Sequence, residues 1–258
     1  MIVHPDAGSH PAFDAIDHRP WPLPAGRWSW RQSWQDLLFA HWPVPAAILR
    51  PLVPVGLVVQ EFDGTSWVGV VPFRMAGVMR RPLPDLPGIS NFPELNVRLY
   101  VEAGGKPGVW FLSLDATNRL AVFAARLLFH LPYYWAKIGI VPDGDGFGYR
   151  SIRSERKRGT GWGVFDGDYR PVSPVYRAVP GTLEHFLTER YCLYAQAPDG
   201  SLYRTEVHHA PWPLQRAEGN FRANTMLRPH GVLIEETGPL LLHFARRIDV
   251  VIWNPARL

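Results

Sequence analysis

The stretch "ELNVRLYVEAGGKPGVWFLSLDA", residues 94–116, decides the fold class, because it contains two runs in which apolar and polar residues alternate. The runs are joined by "GGKPG" (104–108), a segment rich in residues that favour tight turns. Alternation with a period of two is typical of strands with one buried face, so residues 94–116 are predicted to form an antiparallel hairpin.

The chain on both sides of this hairpin also favours strands. The segment "WSWRQSWQDLLFAHWPV" (28–44) alternates well enough to be a strand, and a short helix is predicted from Ala46 to Leu52. Further strands are predicted at 136–141 and 147–158, on either side of the turn "DGDG". Many strands without a regular alternation of strand and helix predict a mainly β fold, as an antiparallel barrel or sandwich.

One longer helix is predicted at about 117–130, packed against the sheet, with Thr117 or Asn118 as its N-cap. The apolar residues that recur at helical spacing are Leu120, Phe123, Ala124, Leu127 and Leu128. Residues 1–26 are polar, rich in proline and aperiodic, so they are expected to form a loose N-terminal arm. Residues 27–258 are then expected to form a single β domain.

Composition narrows the function classes. The 258 residues carry a net charge of +4, which is a weak signal for a nucleic-acid partner. There is no run of 18 apolar residues and no apolar signal sequence at the start, so no membrane partner is expected and a cytoplasmic location is predicted. The one cysteine, Cys192, excludes an internal disulfide and a zinc site built from several cysteines.

Several polar motifs are better explained as structure than as sites. "DGDGFG" (143–148) lacks the oxygen ligands of a calcium loop, and "GTGWG" (159–163) has no helix after it to bind a phosphate. His208 and Glu206 share a strand face but have no third ligand, so neither a metal nor a cofactor is predicted. The basic run at 150–158 has charges on both faces and is expected to be a solvated edge strand.

The helical run ends in "HLPYYWAK" (130–137), which places two tyrosines directly after Pro132. Tyr133 and Tyr134 are either amphipathic packing residues or hydroxyl groups at the rim of a ligand pocket. The residues alone leave both explanations open.

Several motifs in order resemble the uncharacterised family called domain of unknown function 2071 (YqjF-like). They are "FPELNVRLYV", "GKPGVWFLSLDA", "ARLLFHLPYYWA", "LTERYCLY" and "HFARRIDVVIW", and the similarity covers about residues 18–255. That family is related in fold to acetoacetate decarboxylase. The resemblance therefore implies an antiparallel β-barrel around a ligand cavity.

The resemblance also implies where the site lies. The decarboxylase has two adjacent lysines, the first of which forms a Schiff base, where this chain has Tyr133 and Tyr134. Glu94 falls on an active-site glutamate of the decarboxylase, whereas a second glutamate has no counterpart in "SWVGVVPFRMAGV" (66–78). A phenol cannot condense with a ketone. Lys137 would lie roughly 13 Å from Tyr133 if residues 133–137 form a strand, or one turn away from it if the helix resumes past Pro132.

These considerations predict a protein that binds a small organic acid in a cavity without a Schiff-base lysine. Glu94 and Tyr133 are the predicted catalytic residues, if the protein is an enzyme. The predicted ligand-binding residues are Tyr134, Arg98, Asn96 and Lys137. Asn96 and Arg98 are included because they share the strand face of Glu94.

Two other functions stay open at this point. One is a lyase or hydratase that acts on a keto or enol acid by acid–base chemistry of Glu94 and a tyrosine. The other is a regulatory or interaction module whose barrel is filled by side chains. Assembly into a homo-oligomer is also left open.

Overall fold

The computed structural model describes residues 10–85, 89–154, 162–234 and 241–258. Most of these residues lie in strands. The strands are β1 (Trp30–Val44), β2 (Val58–Val59), β3 (Ser66–Arg80), β4 (Phe92–Ala103), β5 (Lys106–Ala116), β6 (Tyr133–Asp143), β7 (Gly146–Arg153), β8 (Val164–Pro171), β9 (Cys192–Gln196), β10 (Leu202–His209), β11 (Gln215–Asn224), β12 (Leu241–Ile252) and β13 (Ala256–Arg257).

Helices are few and short within these ranges. The α-helices are α1 (Ala46–Leu49), α2 (Arg119–Phe129) and α3 (Leu183–Thr188). Single 3₁₀ turns cover Pro11–Asp14, Arg50–Leu52 and Arg228–His230. The mainly β fold that the alternating pattern predicts is confirmed.

The predicted hairpin forms from β4 and β5, which pair in antiparallel register from Glu94 opposite Ala116 to Ala103 opposite Lys106. Gly104 and Gly105 make the turn, and both have positive φ angles, of 58° and 71°. Glycine adopts this left-handed region without the steric cost that a Cβ adds. The hairpin therefore closes at the two residues best suited to a tight turn.

The described strands form one mixed sheet of 13 strands, in the order β13-β10-β9-β5-β6-β7-β8-β11-β12-β1-β3-β4-β2. Additional pairings join β5 to β4 and β10 to β12, so the sheet returns on itself. Most pairings are antiparallel as predicted, but β5 runs parallel to both β6 and β9. The prediction of a purely antiparallel sheet is therefore wrong at β5. The chain leaves β5, crosses over through α2 and returns to the sheet as β6, which makes this pairing parallel.

The side chains of strand β4 alternate between two parts of the core. Leu95, Val97 and Leu99 are fully buried in one apolar cluster. Glu94, Asn96, Arg98 and Tyr100 point to the opposite face, beside a second apolar cluster. Because successive side chains of a strand alternate between faces, one strand supplies both an apolar core and a row of buried polar groups.

Helix α2 begins after Asn118, whose side chain accepts hydrogen bonds from the backbone N–H groups of Leu120 at 3.0 Å and Ala121 at 3.1 Å. The expected packed apolar face is not buried in the core, since Leu120, Phe123 and Leu127 are 64%, 67% and 64% exposed. The face of α2 that turns inward lines a cavity. This face consists of Leu120, Ala121, Ala124, Ala125, Leu128 and Phe129.

The expectation of a loose arm is corrected for residues 10–26, while residues 1–9 lie outside the described part. Ala12 and Phe13 are buried in an apolar cluster with Trp28. The Arg19 guanidinium is buried and contacts Glu206 at 2.8 Å. Buried apolar contacts and this ion pair hold the segment against the sheet.

The basic run is also corrected where the structure describes it. Strand β7 pairs with β6 on one side and β8 on the other, so it is not an edge strand. Its last residue, Arg153, is buried and contacts Asp115 at 2.8 Å. Residues 155–161, which contain the rest of the run, lie outside the described residues.

Candidate functional site

A cavity of about 460 Å³ lies between the inner face of the sheet and α2. Its walls are mostly apolar and aromatic. They include Trp34, Phe73, Leu114, Ala124, Leu131 and Trp212. A few polar side chains interrupt this lining, as is typical of small-molecule sites.

One polar pair in the lining consists of Glu94 on β4 and Tyr133 at the start of β6. The Tyr133 hydroxyl donates a hydrogen bond of 3.0 Å to Glu94 Oε2. Burial raises the pKa of Glu94 to about 8, against the opposing effect of the Tyr133 hydrogen bond and with a smaller contribution from the charge of Asp115. Glu94 is therefore protonated at neutral pH and offers an uncharged, proton-exchanging group to the cavity.

Tyr133 is protonated as well. Burial raises the pKa of its phenol well above the ordinary value, and the nearby Glu94 adds to that effect. The pair therefore presents two neutral hydroxyl-bearing groups, each able to donate or accept a hydrogen bond.

A second polar region contains Arg98 on β4 and Arg190 just before β9. Both line the cavity, and each is only 7% exposed. Arg98 Nη2 donates to the carbonyl oxygen of Leu187 at 2.9 Å, and Arg190 Nε donates to that of Phe186 at 2.7 Å. Burial lowers the pKa of Arg190 to about 10, with the like charge of Arg98 contributing to that shift, so Arg190 remains charged at neutral pH.

Asn96 lies between these two regions on the same strand face and lines the cavity. Its Oδ1 is buried and has no hydrogen-bond partner within the described ranges. Buried polar atoms normally find a partner, so the Asn96 side chain is available to a ligand. Thr188 and His209 also line the cavity, near Arg190.

Tyr134 and Lys137 lie outside this cavity. Tyr134 faces away from Tyr133, as neighbours on a strand do, and stacks on the Arg153 guanidinium, whose carbon is 4.4 Å from the ring centroid. Lys137 is exposed on β6. Of the six residues predicted for the site, the structure brings Glu94, Asn96, Arg98 and Tyr133 to the cavity lining and leaves these two elsewhere.

The lining offers no strong nucleophile in its described part, which contains no lysine. Cys192 is present, but burial raises the pKa of its thiol to about 12, so the reactive thiolate is not formed at neutral pH. Glu206, which shares a strand face with His208 as half of a possible metal site, already has other partners. It accepts hydrogen bonds of 2.8 Å from Arg19, Trp21 and Lys106. No group of three metal-binding side chains occurs among residues 10–85, 89–154, 162–234 and 241–258.

Arg190 is the site residue that the sequence analysis missed. It lies in "LTERYCLY" (187–194), one of the motifs that carry the family resemblance. No local pattern singles it out, because Arg190 lies in the segment between α3 and β9. Its position beside Arg98 depends on a contact between residues 92 apart in the sequence, which alternation does not reveal.

No described helix is long and apolar enough to cross a membrane.

A family model for domain of unknown function 2071, described as an uncharacterized conserved protein, matches residues 31–249. The chain is 44% identical over 231 residues to the uncharacterized protein YqjF of Bacillus subtilis, a match that covers 90% of this chain and 93% of that protein.

Solved structures share the fold at low sequence identity. The enduracididine biosynthesis enzyme MppR, complexed with pyruvate, superposes with a TM-score of 0.61 at 12% identity, covering 93% of each chain. Acetoacetate decarboxylase from Legionella pneumophila gives a TM-score of 0.59 at 13% identity, covering 94% of this chain and 93% of that one. An acetoacetate decarboxylase-like enzyme from Sphingomonas wittichii gives a TM-score of 0.59 at 13% identity, covering 90% of this chain and 94% of that one. At these identities the likeness concerns the fold.

Proposed function

The chain belongs to the domain of unknown function 2071 family, and we propose that it binds a small organic acid in the cavity beneath α2. The observation that carries this proposal is the convergence of buried polar side chains on an otherwise apolar cavity of about 460 Å³. Glu94 and Arg98 lie on β4 and Tyr133 lies on β6, yet all three side chains line the same cavity. Such an arrangement binds the body of a ligand by apolar contact and fixes its orientation by a few polar contacts.

The sheet that returns on itself supports the barrel expected from the sequence, with the cavity as its interior. A structural neighbour, MppR, is complexed with pyruvate, which is a small carboxylic acid. A carboxylate is also the ligand group that a guanidinium binds best, since the two match in charge and in hydrogen-bond geometry. The location in the cytoplasm and the homo-oligomer remain predictions.

Binding in this proposal is non-covalent. A Schiff base needs an amine, and Lys137 lies exposed on β6 rather than in the cavity. The neutral Glu94 and Tyr133 would instead hydrogen-bond to a carbonyl or hydroxyl group of the ligand. A barrel filled by side chains, which the interaction-module alternative requires, is not favoured by a cavity of this size.

Two tryptophan substitutions on α2 test the proposal with a matched pair. Ala124 faces the cavity, whereas Leu127 lies on the exposed side of the same helix. We expect Ala124→Trp to fill the cavity and abolish binding of organic acids measured by calorimetry, while Leu127→Trp retains it. Equal binding by both variants, or no binding by the unmodified protein across acids of two to ten carbons, would contradict the proposal.

A second function, acid–base catalysis on a keto or enol acid, is favoured by one specific observation. A carboxyl group with a pKa of about 8, hydrogen-bonded to a phenol inside a cavity, is suited to exchange protons at neutral pH. Exchange of the α-protons of keto acids into deuterated water, followed by proton NMR, tests this function. Exchange that is lost in Glu94→Gln and kept in Lys137→Met would support catalysis, and exchange that is unaffected by Glu94→Gln would exclude it.

A further inference from the structure

The two buried arginines of the cavity, Arg98 and Arg190, lack a carboxylate partner among the described residues. Arg98 Nη2 contacts the Leu187 carbonyl oxygen and, at 3.4 Å, the Tyr100 hydroxyl, and its Nε has no partner. Within the described part of the chain, the groups that accept hydrogen bonds from Arg98 are therefore neutral.

Arg190 is in the same situation. Its Nη1 donates to the Gln60 side-chain oxygen at 2.5 Å, and its buried Nη2 has no partner. Gln60 in turn donates to Glu102 at 2.9 Å, so this carboxylate is linked to Arg190 only through an amide. Two buried like charges without a direct counter-charge are costly, and a bound anion would relieve that cost.

Both guanidinium groups are fixed in position before any ligand arrives. The Arg98 guanidinium carbon lies 5.0 Å from the centroid of the Phe39 ring, and that of Arg190 lies 4.3 Å from the centroid of the Phe186 ring. His41 lies behind Tyr100 and hydrogen-bonds to it, with Nε2 2.5 Å from the Tyr100 hydroxyl. Burial, together with the charge of Arg98, keeps the pKa of His41 well below its ordinary value, so the imidazole is neutral and adds no further charge.

The arginine pair and the Glu94–Tyr133 pair lie at different levels of the cavity. Glu94 and Arg98 are four residues apart on one strand face, which separates their Cα atoms by roughly 13 Å. The Arg98 side chain reaches further away from Glu94, since it contacts Tyr100, two residues onward on the same face. A short keto acid cannot touch both ends.

The volume agrees with a longer ligand. A cavity of about 460 Å³ has room for on the order of fifteen water-sized groups. Most of its other lining residues are apolar or aromatic, so the walls suit a hydrocarbon chain or ring. An extended chain advances about 1.3 Å per carbon–carbon bond, so eight to ten carbons are roughly 9–12 Å long. With a hydrogen bond of about 3 Å at each end, such a chain reaches polar groups at both ends of the cavity.

We infer that the cavity takes an amphipathic monocarboxylic acid of about eight to ten carbons, with its carboxylate on Arg98 and Arg190 and its far end directed toward Glu94 and Tyr133. This inference rests on the proposed function and specifies its ligand class. Asn96 would contact a polar substituent in the middle of the chain.

Calorimetric titration of the unmodified protein tests the length and the charge of the ligand separately. The probes are butyrate, acetoacetate, hexanoate, decanoate and 1-decanol. We expect decanoate to bind at least tenfold more tightly than butyrate or acetoacetate, and at least tenfold more tightly than 1-decanol, which lacks the anion.

Variants test where the carboxylate lies. Arg98→Gln should weaken decanoate binding at least tenfold and leave 1-decanol binding almost unchanged. Arg119→Gln is the matched control, because Arg119 is an exposed arginine outside the cavity lining that stacks on Trp135 at 3.8 Å. Arg80→Gln tests the exposed arginine within the lining, which stacks on Trp30 at 5.8 Å. If Arg98→Gln does not fold, the comparison of decanoate with 1-decanol on the unmodified protein still decides the charge requirement.

Four results would overturn the inference. Equal binding of decanoate and 1-decanol would refute the anion subsite, and loss of decanoate binding in Arg80→Gln but not in Arg98→Gln would place the carboxylate at the exposed arginine. Tight binding of acetoacetate or butyrate with weak binding of decanoate would refute the chain length and leave the proposed function intact. Absence of binding by every acid would overturn both.

Discussion

Replacement of Glu94 by Gln tests the electrostatic state of the cavity. Glu94 is 2% exposed and has a pKa of about 8, against an ordinary value of 4.5. Because the folded protein holds a proton that the unfolded chain releases, stability is fully present below pH 4.5 and is lost as the pH rises toward about 8. Each pH unit in this window removes about 1.4 kcal/mol, which gives about 3 kcal/mol between pH 5 and pH 7.

Gln keeps an oxygen that accepts the Tyr133 hydrogen bond but does not titrate. We therefore expect the stability of Glu94→Gln, relative to the unmodified protein, to increase by about 3 kcal/mol from pH 5 to pH 7. Urea unfolding at several pH values measures this difference, in which the contributions of all other groups cancel.

The matched control is Glu61→Gln, which removes an exposed carboxylate and should follow the unmodified protein at every pH. A difference between Glu94→Gln and the unmodified protein that stays constant from pH 5 to pH 9 would refute the reasoning. It would mean that Glu94 is ionised in the folded state, and the cavity would then contain an anion of its own.

Three other substitutions give independent tests. Tyr133→Phe removes the hydrogen bond that lowers the pKa of Glu94, so the stability loss measured by urea unfolding should continue to a higher pH than in the unmodified protein, and a loss that ends at lower pH would contradict this. Gly69→Ala places a Cβ 3.4 Å from Arg98 Cγ and 3.2 Å from the buried His41 imidazole. It should lower the free energy of unfolding in urea by about 1–3 kcal/mol and weaken decanoate binding in calorimetry. Unchanged values for both would refute this prediction. Lys137→Met should leave acid binding unchanged, and borohydride treatment with acetoacetate should add no mass to the unmodified protein; a reduced adduct at Lys137 would contradict non-covalent binding.

Local sequence patterns predict those parts of the fold that local physics controls. The 94–116 hairpin follows from alternation and two glycines, and the position of α2 follows from the Asn118 cap. The parallel pairing of β5 does not follow from any local pattern, because it joins segments that meet only after the chain crosses over. The docking of residues 10–26 was missed for the same reason, since Arg19 finds Glu206 across 187 residues.

The site shows the same division. Period-two alternation on β4 correctly placed Glu94, Asn96 and Arg98 on one face, and the same alternation explains why Tyr133 enters the cavity while Tyr134 does not. Arg190 had no such relation to the other residues in the sequence. Its role becomes visible only when the segment after α3 is brought against β4.

Native mass spectrometry of the purified protein, before and after denaturation, shows whether the cavity holds an organic acid. We expect a non-covalent adduct that is released on denaturation and is recovered as a carboxylic acid, or that forms when decanoate is added to the empty protein. A protein that is empty as purified and binds no decanoate at millimolar concentration would contradict the claim that this cavity receives an organic acid.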